Sequence, residues 1–89
     1  MRDSHIPKSF EGLIKSFGLV VRAHRQRCGF SQERLAEVAG LDRTYVGCIE
    51  RGERNLGIAN VAMLALALGV VSSQLLREAE ELDTKGAGA

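Results

Sequence analysis

Apolar residues recur along this chain at intervals of three and four rather than two, so the sequence reads as helices separated by glycine stops. Phe10, Leu13, Ile14, Phe17 and Val21 form the first stripe, and Gly29 stands as a left-handed stop after Arg22–Cys28. Gly12 and Gly18 interrupt that stripe, and each costs up to about 1 kcal/mol against alanine in a helix interior. The pattern therefore predicts a break near Ser16, with the main helix running from about Phe17 to Arg27. Ser31 offers an N-cap hydroxyl to Gln32–Ala39, whose inward residues are Leu35, Ala36 and Ala39, and Gly40 ends that helix. Asp42 is placed to cap Arg43–Arg51, with Val46 and Ile49 inward, Cys48 at the edge of the stripe and Gly52 as the stop. After the polar link Glu53–Gly57, an alanine-rich helix from Ile58 to Leu68 turns Val61, Leu64, Ala65 and Leu68 inward and closes at Gly69. Ser72 or Ser73 caps a last helix, with Leu75, Leu76, Ala79 and Leu82 on its stripe. The expectation is an all-α, five-helix fold: residues 1–16 an N-terminal extension able to lengthen the first helix, 17–82 the folded domain, and 83–89 a flexible tail.

Two short helices joined by Gly40–Leu41–Asp42 are linked too tightly to lie antiparallel, and a turn of this length with an early glycine is that of a helix-turn-helix. For the helices to cross steeply there, the residues at the crossing must be small or well fitted. Ala36, Gly40, Val46 and Ile49 meet that need and are read as packing residues. A large side chain in place of Ala36 is expected to unfold the motif by overpacking.

Length and charge sharpen this picture. At 89 residues the chain is one small domain, burying roughly 60–65% of the surface its unfolded form exposes, so a partner subunit is a natural way to enlarge its core. The 12 basic and 11 acidic residues leave a net charge of +1, which says little as a total. Position says more: residues 1–55 carry 10 basic and 7 acidic side chains (+3), and residues 56–89 carry 2 and 4 (−2). Seven arginines fall between Arg22 and Arg54, a face suited to an anionic partner or else a solvated surface of mixed charge.

Other chemistries find little support. Cys28 and Cys48, with His5 and His24 as the only histidines, have no recognised zinc spacing, so no metal is expected and the thiols are read as reduced and buried. Neither histidine has a nucleophile and an orienting carboxylate in view, and the glycines around Glu53–Leu56 lack the lysine and the preceding strand of a phosphate loop. No catalytic residue, cofactor or small-molecule substrate is expected. The longest apolar run, Ile58–Val71, is 14 residues and contains Asn60, short of the roughly 18–20 a membrane span needs. The polar N-terminus is no secretory signal, and a cytoplasmic protein without membrane contact is expected.

The residues of the motif carry a resemblance. Ser31–Gln32–Glu33–Arg34–Leu35–Ala36, Gly40–Leu41, and Tyr45–Val46–Gly47–Cys48–Ile49–Glu50–Arg51–Gly52 resemble the phage repressor and Cro family of helix-turn-helix proteins, over about Phe17–Leu76. Within that family, Leu41–Asp42–Arg43–Thr44–Tyr45, Ile49–Glu50–Arg51 and Arg54–Asn55–Leu56 are similar to the small controller proteins of restriction–modification systems. The resemblance implies a five-helix lambda-repressor-like domain that binds the major groove of double-stranded DNA and regulates transcription.

Outside the apolar stripe, the start of the second motif helix leaves Arg43, Thr44 and Gly47 to face bases, with Tyr45 at the margin. A guanidinium reads guanine O6 and N7 as a bidentate pair, and Arg43 sits at the helix end that approaches bases; its alternative is a solvated surface arginine. Thr44 can offer its methyl or hydroxyl, and Gly47 can admit a close backbone. Tyr45 can donate to a phosphate, or serve as half-buried packing beside Val46. Gln32, at a helix N-terminus, is suited to a phosphate, and the resemblance implies that role for it. Arg51, Arg54 and Asn55 follow in a loop that would lie along the backbone, with pairing to Glu33 or Glu37 the alternative for Arg51. Arg22 and Arg25 either flank these contacts or form a solvated face. The acidic end offers Leu64, Leu68, Leu75, Leu76 and Leu82 as a homodimer interface. The rival reading from another class is an antitoxin-like module that binds and silences a toxin; a phage-type repressor is the other alternative within the family.

Overall fold

The computed structural model describes residues 5–84, and its helices fall largely where the periodicity places them. A 3₁₀ turn, Lys8–Phe10, leads into α1 (Glu11–Arg27), followed by α2 (Gln32–Ala39), α3 (Arg43–Glu50), α4 (Ile58–Leu68) and α5 (Ser72–Leu82). No strand occurs among the described residues. The Ser31 hydroxyl accepts from the Arg34 N–H at 3.0 Å and the Asp42 carboxylate accepts from the Thr44 N–H at 2.8 Å, so both motif helices begin on the caps the sequence offers. Gly29, Gly40, Gly52 and Gly69 all have φ between 74° and 77°, the left-handed geometry that ends a helix.

The expected break near Ser16 is absent: α1 is one continuous helix of 17 residues. The reason is packing. Gly18 is buried where α1 presses against the end of α3, and a Cβ there would collide with the Ile49 carbonyl oxygen and lie 2.8 Å from that of Glu50. The glycine thus marks a close helix–backbone approach rather than a helix end. The α5 start also differs, because Val71 occupies the N-cap and neither Ser72 nor Ser73 caps the helix through its side chain.

The core gathers Phe17 and Val21 from α1, Leu35 and Ala36 from α2, Val46 and Ile49 from α3, Leu64 and Leu68 from α4, and Leu75 and Ala79 from α5. α1 packs chiefly on α5, and α2 on α3. α4 and α5 meet at 99°. Among the expected packing residues, Ala36, Val46 and Ile49 are buried, whereas Gly40 is exposed and owes its place to its φ of 74° rather than to the helix crossing.

Three of the five leucines expected at a subunit interface belong instead to this core. Leu64, Leu68 and Leu75 are buried within the single chain and are unavailable to a partner. Leu76 and Leu82 are exposed, together with Ile58 (89%), Leu66 (83%) and Val71, which the inward stripe did not include. The error is one of helix face: on α4, Ile58, Ala62 and Leu66 lie opposite Leu64 and Leu68. The thiols are not buried either, Cys28 being exposed and Cys48 half-buried. No single helix among the described residues is long and apolar enough to cross a membrane.

Candidate nucleic-acid interface

The site begins at the capped N-terminus of α3. Asp42 holds the first turn, and Arg43 and Thr44 project beyond it, both exposed. The Arg43 guanidinium lies 4.0 Å from Glu33, and its side chain remains 69% exposed. At that distance and exposure the ion pair contributes little and leaves the fork free for a base edge.

Beneath these residues a buried carboxylate ties three helices together. Glu50, at the end of α3, accepts from Arg25 Nε at 2.6 Å and Nη2 at 3.1 Å, and from the Gln32 amide at 2.9 Å. Arg25 also donates to the Phe30 carbonyl at 2.8 Å, closing the α1–α2 connection. The Arg25 and Glu50 side chains are 12% and 3% exposed, so this is a buried pair with its hydrogen bonds satisfied. Arg25 is therefore neither a solvated side chain nor a phosphate ligand. Gln32 is partly committed as well: one amide proton goes to Glu50, which aims the side chain and leaves the second proton for a phosphate oxygen.

Gly47 is buried under the side chains of Gln32 and Arg51, where an added Cβ would lie 3.6 Å from Gln32 Oε1 and 3.2 Å from Arg51 Nη1. That position corrects its assignment as a base-facing residue: its lack of a side chain makes room for the two polar groups above it. Arg51 pairs with neither Glu33 nor Glu37 but with Glu53, at 3.1 and 3.2 Å, and reaches Cys48 Sγ at 3.5 Å. The hydrogen bond to Glu53, then its charge, raises the pKa of Arg51, and the same hydrogen bond lowers that of Glu53. This pair is exposed, so a phosphate can replace Glu53 at small cost.

Tyr45 and Arg54 form a second unit. The Tyr45 ring is half-buried, its hydroxyl accepts from the Asn60 amide at 2.9 Å, and the Arg54 guanidinium carbon sits 5.5 Å from the ring centroid. Asn55 is engaged elsewhere, donating to the His5 carbonyl at 2.8 Å and so holding the N-terminal segment against the α3–α4 loop. Sequence reading missed Glu50, Glu53 and Asn60. Only Asn60 carried a local signal, as the lone polar residue in α4.

His24 has a carboxylate partner after all: its Nε2 lies 2.8 Å from Glu78 Oε1, joining α1 to α5. Gln74 donates to the other Glu78 oxygen at 2.9 Å. The pair lies between the two helices that pack most on each other. Among the described residues no three His, Cys, Asp or Glu side chains cluster to hold a metal ion.

Two short helices at a glycine turn, an exposed arginine and threonine at the capped end of the second, and flanking cations define a DNA-binding helix-turn-helix regulator. The profile of the helix-turn-helix family matches residues 21–76, and the chain belongs to that family, in its Cro and phage-repressor branch. Its relatives include restriction–modification controllers. Control protein C.SmaI of Serratia marcescens is 46% identical over 56 residues, 63% of this chain and 67% of the relative. A hypothetical transcription factor of Neisseria meningitidis is 46% identical over 61 residues, 68% of this chain but only 58% of the relative's length. The crystal structure of the controller C.AhdI of Aeromonas hydrophila superposes with a TM-score of 0.67 at 46% identity, covering 71% of this chain and 94% of that one.

Proposed function

We propose that this protein is a sequence-specific transcriptional regulator that binds a near-palindromic operator as a homodimer, in the manner of a restriction–modification controller. The observation that carries the reading is the pair Arg43 and Thr44, exposed at the capped end of α3 above a buried Arg25–Glu50–Gln32 network that fixes the motif. In this reading Arg43 and Thr44 face base edges in the major groove. Gln32, Arg51 and Arg54 meet phosphates, and Tyr45 serves from the margin. Asn55 acts at the same loop, either on a phosphate through its remaining proton or by holding the N-terminal segment. Two-fold symmetry would place the half-sites roughly 34–36 Å apart. The protein works where its operator is, in the cytoplasm at the nucleoid.

The test is binding of the duplex upstream of its own gene, compared with a random duplex across a salt series. Salt-dependent and preferential binding of the upstream duplex is expected. Arg43→Ala should relax the preference at one position per half-site, while Arg54→Ala should weaken both duplexes alike and lower the salt slope by about one unit. Equal losses on both duplexes for Arg43→Ala would remove it as a base reader. A neighbouring endonuclease and methyltransferase gene pair would support the controller role.

A further inference from the structure

We propose that Asn60, which lies outside the helix-turn-helix, is a positioning residue for the DNA interface: its amide fixes the Tyr45 ring, and the ring carries the Arg54 guanidinium. This inference rests on the DNA-binding reading above and deepens it.

α4 is otherwise wholly apolar, so a single amide in its first turn asks for a reason. Asn60 is half-buried and spends its amide on the Tyr45 hydroxyl, 2.9 Å away across the gap between α4 and α3. A phenol that accepts from an amide keeps its own proton to give, and a phosphate oxygen is the acceptor such a donor would meet at this margin. The ring in turn supports Arg54 at 5.5 Å. Unlike Arg51, Arg54 has no carboxylate within ion-pair distance among the described residues. A long cation held on an aromatic face has already surrendered part of the rotamer freedom that phosphate binding would otherwise cost. Asn60 thus acts on DNA through two other side chains and touches none of it.

The chain supplies its own reporter, because Tyr45 is its only tyrosine and it has no tryptophan. Asn60→Leu removes the donor at similar volume in an apolar helix. It is expected to change the intrinsic tyrosine emission, to weaken binding of the upstream duplex about threefold to tenfold, and to cost less when Arg54 is already alanine, because only the share carried by the Tyr45 hydroxyl is then left to lose. Tyr45→Phe leaves α4 untouched, so it serves where Asn60→Leu lowers the melting temperature; in its background Asn60→Leu should cost nothing further. An Asn60→Leu protein that is folded and binds with wild-type affinity and salt slope overturns the inference, as do losses from Asn60→Leu and Arg54→Ala that simply multiply. Wild-type protein with no salt-dependent affinity for either duplex overturns the DNA-binding reading itself, and the positioning role with it.

Discussion

Gly18 carries the contact between α1 and the end of α3, and one methyl group there would meet two backbone carbonyls that cannot swing aside. Gly18→Ala is expected to destabilise the fold by about 2–3 kcal/mol despite its better helix propensity, read as a fall in the thermal midpoint. An unchanged or higher midpoint would show that propensity outweighs the clash. The neighbouring Glu50 tests a different force. Removing either partner of a buried pair strands a charge, so Arg25→Met or Glu50→Leu should each cost about 3–5 kcal/mol, whereas the double variant carrying both should cost less than either. Denaturant titrations of the three proteins check this, and additive losses would argue against a coupled pair. Neither site was legible from sequence. Gly18 has the spacing of a helix breaker, and the partner of Arg25 lies 25 residues away, so no local pattern joins them.

At the scale of elements, the signals that held were local ones: the Ser31 and Asp42 caps, the left-handed glycines, and the inward stripes of α2 and α3. What escaped were tertiary ones: the continuity of α1, the cap of α5, and the joint that ties these two helices. In that joint Glu78 is held below the usual carboxylate range, first by the hydrogen bond from Gln74 and then by that from His24. A carboxylate with a folded pKa below its unfolded one adds stability above the ordinary carboxylate range, and that stability is lost as pH falls through the lowered value. Glu78→Gln should therefore melt below wild type at neutral pH, with the gap closing under acid conditions beneath that range. A gap that stays constant with pH would place the cost in packing, not charge.

For the whole molecule, the balance of charge acquires meaning only through placement. The excess arginines between Arg22 and Arg54 divide into an internal strut, Arg25, and exposed cations such as Arg43 and Arg51 around the motif. The acidic end carries most of the exposed apolar surface: Ile58 and Leu66 lie almost fully exposed on α4, with Val71 and Leu76 beyond the 99° corner. Ile58 and Leu76 also line one groove with Leu56 and Val61. A chain of this size can cover only part of its apolar surface alone, and in the homodimer proposed above a second copy related by a two-fold axis would cover part of what remains. The interface residues to test are thus the exposed ones, not Leu64, Leu68 and Leu75. Leu66→Glu is expected to leave the chain folded, since the side chain touches water in the protomer, while shifting sedimentation from dimer to monomer. A monomer grips one half-site instead of two and loses the gain of linked binding, so operator affinity should fall far more than affinity for a single half-site. A Leu66→Glu protein that still sediments as a dimer would move the two-fold contact off this face of α4, and a wild-type monomer at micromolar concentration would remove the homodimer altogether.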